Sequence, residues 1–345
     1  MNWKIKNMER IAMRKKEMEQ AKREKVMVTG GAGFIGSHIV DLLIMNGYEL
    51  VVVDDLSGGK PENINSEAHF YQIDINDPDL KKIFNLEKPD YICHQAAQIS
   101  VSFSVKNPKL DAQCNIMGLL NLLELSLTNK VKGFIFASSG GTVYGECISF
   151  PIKEDNPFCP NSPYGISKMT SEYYLNFYYH TYQLNYISLR YGNVYGPRQD
   201  PYGEAGVIAI FINKMLNNEA PIINGDGEYI RDYIYVKDVA EACLLSIENM
   251  LKLAKLRNYR RNKNILNAFN IATGKGVSVN QLFSNLQKII GFNKNASYGP
   301  PRPGDLRKSI LDCKLAEQYL GWKSKYDLSE GLKETAEWFK LSKKY

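Results

Sequence analysis

A doubly wound α/β fold, in which helices cover both faces of a parallel sheet, is the fold class this sequence predicts, followed by a smaller mixed α/β domain. Three observations predict it. From Lys25 onward, short β-branched runs alternate with helical segments, as they do when each strand crosses over a helix to reach its parallel neighbour. The second such run, Leu50-Val51-Val52-Val53, is apolar throughout, which fits a strand buried on both faces. A glycine-rich turn, Thr29-Gly30-Gly31-Ala32-Gly33-Phe34-Ile35-Gly36, joins the first run to the first helix.

Taken in order, Val26-Met27-Val28 reads as strand one and Ser37 to Asn46 as the helix after the turn. Leu50 to Val53, Tyr91-Ile92-Cys93-His94, Gly133-Phe134-Ile135-Phe136 and Tyr186-Ile187-Ser188-Leu189 supply later strands, and helices are expected at about Leu110 to Thr128 and Tyr164 to Tyr182. Past Gly196-Pro197 the chain changes to mixed elements rich in Gly, Pro and Asn.

Bulk properties exclude several classes. The 345 residues hold 44% hydrophobic and 23% charged side chains, with a mean hydropathy of −0.32, and no apolar run approaches the roughly 20 residues that span a bilayer. The formal charge is +6, but residues 1–25 carry nine Lys/Arg against four Asp/Glu, so the rest of the chain is nearly neutral. A near-neutral body offers no broad surface for nucleic acid. Six cysteines form no Cys-x-x-Cys pair and four histidines no His-x-x-x-His spacing, so no metal site is expected, and reduced thiols fit a cytoplasmic location.

The glycine turn carries the first chemistry. Gly30, Gly33 and Gly36 follow a strand and open a helix, where glycines serve the tight turn, the close approach of backbone to a pyrophosphate and the packing of helix on sheet. The helix N-terminus then faces the phosphates. Asp54, 18 residues beyond Gly36, ends strand two where a carboxylate accepts from ribose hydroxyls and repels a 2′-phosphate, so NAD is favoured over NADP; Asp55 is the adjacent alternative. Asp74 sits where a loop reaches toward adenine, and capping of the turn at Asn76-Asp77-Pro78 is its other reading. These signals divide the chain into a charged extension (1–24), an NAD-binding Rossmann domain (25–194) and a substrate-binding domain (195–345). Strands near 232–240 and 266–272 are candidates to return to the main sheet.

Tyr164 and Lys168 carry the second. Four residues apart on a helix they share a face, and an ammonium beside a phenol favours phenolate, which makes Tyr164 a base usable near neutral pH. Thr29 to Gly36, Asp54, Ser138-Ser139, Tyr164 and Lys168, in this order, resemble the extended short-chain dehydrogenase/reductase family. From Lys25 to the C-terminal end the chain is similar, more narrowly, to UDP-glucose 4-epimerases. The stretches that carry this are Asp54-Asp55-Leu56-Ser57-Gly58-Gly59, His94-Gln95-Ala96-Ala97-Gln98, Arg190-Tyr191-Gly192-Asn193-Val194-Tyr195-Gly196-Pro197-Arg198-Gln199, Gly225-Asp226-Gly227-Glu228-Tyr229-Ile230-Arg231-Asp232-Tyr233 and Arg302-Pro303-Gly304-Asp305.

The resemblance implies reversible 4-epimerisation of a UDP-hexose through a 4-keto sugar, with tightly bound NAD, in a homodimer joined through the helices near Leu110 to Thr128 and Tyr164 to Tyr182. It implies Tyr164, Lys168 and Ser139 as catalytic residues. Its cofactor positions are Gly30, Gly33, Phe34, Ile35, Gly36, Asp54, Asp55, Leu56, Ser57, Gly58, Asp74, Ile75, Gln95, Ala96, Ala97, Gln98, Asn115, Tyr164, Lys168 and Tyr191. Its substrate positions are Ser139, Tyr164, Asn193, Val207, Arg231, Arg302, Asp305 and Ser309, the arginines suiting forked recognition of phosphate. For Arg231 the other reading is an ion pair with Asp232.

Departures sharpen the expectation. The family usually sets its serine or threonine four residues before the Tyr of Val-Tyr-Gly; here that position is Gly140, so Ser139 and Ser138 both remain candidates. Dehydratases of the family carry an Asp-Glu pair beside the threonine, and decarboxylases a nearby glutamate; Gly140-Gly141 supplies none of these. Ser309 stands where a tyrosine would exclude an acetamido group, so N-acetyl sugars are expected to be tolerated. Two rival readings are a net nucleotide-sugar oxidoreductase and a non-catalytic NAD-binding regulator.

Overall fold

The computed structural model describes residues 23–202, 206–259, 267–302 and 305–342. Residues 1–22 of the charged extension lie outside this range.

Seven strands form one sheet: β1 (Lys25–Thr29), β2 (Glu49–Asp54), β3 (His69–Gln72), β4 (Tyr91–His94), β5 (Gly133–Ser139), β6 (Tyr186–Tyr191) and β11 (Ala268–Ile271). Their spatial order is β3-β2-β1-β4-β5-β6-β11 and every pair is parallel. The order reverses direction beside β1, the switch point at which doubly wound sheets bind ligands, outside the carboxyl ends of the strands.

The two-residue period of the strands sorts their side chains into two cores. Val26, Val28, Val52, Cys93, Ile135 and Ile187 pack beneath α1 (Phe34–Met45) and α8 (Val236–Tyr259), contributing Ile39, Leu43, Ala240 and Ile247. Met27, Val51, Val53, Ile92, Phe134 and Phe136 turn the other way, toward α2 (Leu80–Glu87), α5 (Gly118–Thr128) and α6 (Pro163–Tyr182), represented by Phe84, Leu119, Leu123 and Leu175. Continuous apolar strands thus become two apolar layers.

Between β4 and α5 lie two short helices, α3 (Val101–Lys106) and α4 (Pro108–Ala112), and then one π-helical turn at Gln113–Met117. The single helix expected near Leu110 to Thr128 is therefore interrupted at its start. Such turns gather at functional sites, and this one carries Asn115. Helix α6 starts where its sequence dictates: Ser162 Oγ accepts from the Gly165 N–H, and Pro163 occupies the first turn.

The smaller unit is built from α7 (Val207–Leu216), α9 (Val279–Ile290) and α11 (Leu328–Ser342) around Ile208, Phe211, Leu282, Leu286 and Phe339. Short strand pairs border it: β7 (Asn193–Tyr195) with β10 (Tyr233–Tyr235), β9 (Ile230–Arg231) with β12 (Val277–Ser278), and β8 (Ile222–Asn224) with β13 (Ser297–Gly299). Of the two late strands considered for the main sheet, Ala268–Ile271 joins it beside β6, whereas Tyr233–Tyr235 pairs in parallel with Asn193–Tyr195. The reason is length: β7 and β10 are three residues each, and α8 starts immediately after β10, carrying the chain back across the sheet. Helix α10 (Lys314–Leu320) closes this face, and Trp322 behind it donates its indole N–H to the Asp238 carbonyl at 2.8 Å.

Candidate active site

The glycine turn lies between the carboxyl ends of β1, β2 and β4. Gly30 adopts φ +70°, and a Cβ there would lie 2.6 Å from the Ala96 nitrogen. At Gly36 a Cβ would lie 2.1 Å from the Gly30 carbonyl oxygen. Both positions therefore require glycine, one for its conformation and its neighbour, the other so that helix α1 can sit on the turn. Helix α1 has Gly33 as its N-cap, no side-chain cap and no acidic residue in its first turn, so its leading N–H groups and its positive dipole end remain for an anion.

Asp54 is buried at the end of β2 and accepts from the Ala32 N–H (3.0 Å) and the Leu56 N–H (2.9 Å). Burial pushes its carboxyl up, and these backbone donors oppose the shift. Asp55 turns to Ser57, accepting from its N–H and hydroxyl. Asp74 accepts from the backbone and side-chain amides of Asn76, closing its own turn. These features fit a dinucleotide: a turn whose backbone admits no side chain at 30 or 36, an uncapped helix start and a carboxylate at the end of β2.

The far wall of the cradle is the segment after β4. Gln95 Oε1 accepts from the Tyr191 hydroxyl at 3.4 Å. Gln98 and Asn115 bind each other: the Gln98 N–H donates to Asn115 Oδ1 and the Asn115 amide to the Gln98 carbonyl, each at 3.0 Å. The Asn115 side chain thus ties the backbone of this segment to the π-helical turn.

Tyr164 and Lys168 occupy the first turns of α6. Lys168 is buried, its Nζ donating to the Ala137 carbonyl at 2.9 Å and lying 5.7 Å from the Tyr164 ring centroid. Burial lowers its ammonium to about 8, against the charge of Asp111. Burial also pushes the Tyr164 phenol above the usual tyrosine range; Asp111 adds to this, and a hydrogen bond with Ser139 opposes it. In the chain without cofactor, desolvation thus dominates the Tyr164 phenol.

The two serines at the end of β5 have separate partners. Ser138 is buried and donates to Glu172 Oε1 at 2.5 Å. Glu172 is in turn held by Arg190, whose Nη2 and Nε donate at 2.7 and 3.0 Å. Ser139 is the one that reaches Tyr164. The turn at Gly140-Gly141 folds back through Val143 N–H to the Ser139 carbonyl at 3.1 Å, and a Cβ on Gly140 would lie 2.4 Å from Leu311 Cδ1.

The substrate candidates fall into one neighbourhood of the smaller unit. Arg231 lies 3.6 Å from Asp305, and the Ser309 N–H donates to the Ile230 carbonyl at 3.1 Å. Ser309 is buried, while Arg302 is exposed and its carbonyl accepts from the Asp305 N–H. Asn193 faces Tyr233 across the β7–β10 pair, and Val207 opens α7. The alternative Arg231–Asp232 ion pair does not form: buried Asp232 accepts instead from Thr273, Gly274 and Leu311.

Sequence reasoning gave no role to Tyr233. Its hydroxyl is buried without a hydrogen-bond partner among the described residues, and its ionisation responds to Arg231 and Asp305. An orphaned donor beside an arginine marks a place for a phosphate or sugar oxygen. No periodicity separates it from Tyr235, which binds Glu334.

A bare helix start above two obligatory glycines and a phenol close to a hydroxyl at the adjoining strand end define a dinucleotide-dependent enzyme of the Rossmann class, acting on a carbinol. The chain belongs to the NAD dependent epimerase/dehydratase family, which residues 26–260 match.

Solved relatives span nearly the whole chain. It is 52% identical to the UDP-glucose 4-epimerase of Thermotoga maritima, solved with UDP-glucose, covering 92% of this chain and 99% of that one at a TM-score of 0.86. The UDP-glucose 4-epimerase of Thermus thermophilus, solved with NAD, is 40% identical over 92% of this chain and 99% of its own, with a TM-score of 0.83. The UDP-N-acetylglucosamine 4-epimerase of Methanobrevibacter ruminantium, solved with UDP-N-acetylmuramic acid, is 39% identical over 93% of this chain and 100% of its own, with a TM-score of 0.84. Among the described residues no helix is long and apolar enough to cross a membrane, and no His/Cys/Asp/Glu group suits a metal ion.

Proposed function

We propose that this chain interconverts UDP-glucose and UDP-galactose by reversible 4-epimerisation with tightly held NAD. The observation that carries the reading is the proximity of the Ser139 hydroxyl to the Tyr164 phenol beside the glycine cradle, which gives one carbinol both a proton acceptor and a hydroxyl that steadies charge on its oxygen. Gly30, Gly33 and Gly36 would hold the pyrophosphate of NAD, and Asp54 its adenosine ribose. Bound there, NAD would supply reversible hydride transfer at the sugar carbon. Its positive charge and that of Lys168 offset the desolvation that keeps Tyr164 protonated. Tyr164 then accepts the 4-hydroxyl proton, the 4-keto sugar turns within the pocket so that its other face meets the returning hydride, and the same phenol gives the proton back to the 4-oxygen. Arg231, Arg302 and Asn193 grip the diphosphate throughout, with Val207 beside it and Asp305 at the nucleoside ribose.

Ser309 supports acceptance of N-acetyl sugars, since a small side chain at this buried position leaves room beside β9. The test is incubation of purified protein with UDP-galactose and, separately, UDP-N-acetylglucosamine, without added NAD, followed by separation of the sugar nucleotides. Conversion of both is expected, and Tyr164→Phe is expected to lose at least about a hundredfold in rate. Absence of conversion of UDP-galactose with or without NAD would refute the reading, as would net release of reduced cofactor.

The protein acts in the cytoplasm as a homodimer joined through α5 and α6. Ile166, Tyr173, Tyr174 and Phe177 of α6 and Met117 before α5 are exposed large hydrophobic side chains, and exposed apolar surface of this kind suits a second copy. Sedimentation equilibrium reads the assembly directly; a monomer at micromolar concentration would contradict it.

A further inference from the structure

Asp111 touches neither sugar nor cofactor in the proposed reaction, yet it is fully buried beside the catalytic helix. Three segments converge on it. Its Oδ1 accepts from the Gln98 amide at 2.7 Å and the Asn115 amide at 3.0 Å, and its Oδ2 from the Ser167 hydroxyl at 2.6 Å. Gln98 belongs to the cradle wall after β4, Asn115 to the π-helical turn, and Ser167 immediately precedes Lys168. All three donors are neutral, so the negative charge they surround is bonded but not cancelled.

We propose that Asp111 is a positioning residue of the epimerase reaction: it seats the cofactor wall on helix α6 and its uncancelled charge sets the pH window in which Tyr164 and Lys168 operate. The proposal rests on the epimerase reading for its activity readout. A buried anion stabilises a neighbouring ammonium and opposes a neighbouring phenolate, and Asp111 acts in these directions on Lys168 and on Tyr164.

The other groups facing the pair do not duplicate this charge. β5 offers Lys168 the Ala137 carbonyl and the Phe136 ring, 4.9 Å away. β4 offers His94, which burial holds neutral with a pKa of about 3. Arg190 of β6 is paired with Glu172 of α6 itself. From α5, Glu124 accepts from the Tyr178 hydroxyl at the far end of the helix. α3 contributes the Ser104 hydroxyl to the Tyr164 N–H, and its Lys106, like Lys109 of α4, is exposed. In the π-helical turn burial keeps the Cys114 thiol protonated.

Removing the charge moves both ionisations the same way. Without Asp111 the ammonium of Lys168 is lost at lower pH, and the phenol of Tyr164 ionises at lower pH. Asp111→Asn keeps the shape and loses the charge; Asp111→Glu and Ser167→Ala keep the charge and disturb the contact. In Asp111→Asn both limbs of the pH profile of UDP-galactose conversion are expected to move acidward by about one unit. In the other two variants the rate falls while the limbs stay in place. A second readout needs no turnover: the phenolate absorbance of Tyr164, obtained by subtracting the same titration of the Tyr164→Phe protein, is expected to appear at lower pH in Asp111→Asn. Should that variant fail to fold, Asp111→Ser replaces it in both measurements.

Unmoved limbs together with an unmoved phenolate titration would overturn the proposal, as would equal movement in Ser167→Ala. A wild-type protein inactive on every UDP-hexose would instead defeat the epimerase reading, and the absorbance titration would still decide the role of Asp111.

Discussion

At the scale of single residues, adjacent Ser138 and Ser139 illustrate how the fold assigns chemistry. In the sequence they are two equivalent hydroxyls, and no spacing distinguishes them. Glu172 takes Ser138 into a buried ion pair with Arg190, leaving Ser139 for the phenol. Ser139→Ala is therefore expected to reduce turnover by about a hundredfold to a thousandfold, the cost of one donor to developing charge, with little change in melting temperature. Ser138→Ala is expected to cost about 1.5 to 3 kcal/mol of stability, the range for hydrogen bonds to charged groups, with a smaller effect on turnover. Paired turnover and thermal-melt measurements test this; equal activity in the two variants would sink the assignment of roles. The glycines, Asp54, Tyr164 and Lys168 were legible because each sits at a fixed offset from a strand or on one helix face. Asp111 and Tyr233 were not, since a buried carboxylate with three neutral donors and a buried hydroxyl with none look the same in sequence as any surface residue of their type.

At the scale of elements, the apolar runs located β1, β2, β4, β5 and β6, because a parallel strand buried on both faces needs an apolar side chain at nearly every position, whereas the partly exposed edge strand β3 left no such run. The last two strands were harder. Tyr233-Ile234-Tyr235 and Ala268-Phe269-Asn270-Ile271 share the same texture, yet only the second meets β6. The difference lies in the helix attached to the first: α8 leaves β10 at once to pack Val239, Ala242 and Cys243 into the core under the sheet, so this strand stays outside with β7. The π-helical turn was equally hidden. It inserts no proline or glycine of its own at Gln113–Met117; what holds it is the side-chain exchange between Asn115, Gln98 and Asp111, which only the folded chain brings together.

At the scale of the whole molecule, the segment between Tyr144 and Pro160 crosses from the catalytic strand to the last strand of the sheet, and its stability carries a pH signature. Glu154 Oε1 accepts from the Asn270 N–H at 2.9 Å, and burial pushes its carboxyl up to about 7 from an ordinary 4.5. For an acid raised on folding, the stabilising contribution is complete below the unfolded value and is lost as pH climbs through the folded one. Glu154→Gln keeps the acceptor and cannot ionise. Its melting temperature is expected to match the wild type below about pH 4.5 and to exceed it increasingly up to about pH 7, where the gap levels off. A gap that does not change with pH across this window would show that Glu154 is not the responsible group.

Gly140 pressed against Leu311 has a consequence for how this chain could change its trade. In related enzymes that eliminate water, an acidic pair stands beside the hydroxyl that this chain provides as Ser139. Here a Cβ at 140 would come within 2.4 Å of Leu311 Cδ1, whereas one at 141 meets only the Ser139 hydroxyl oxygen at 3.9 Å. The second acid has open space, whereas the first requires the Leu311 side chain to shift. The departure from an acidic pair is thus coupled to a leucine 171 residues further along the chain, whose side chain has to give way for any side chain placed at 140.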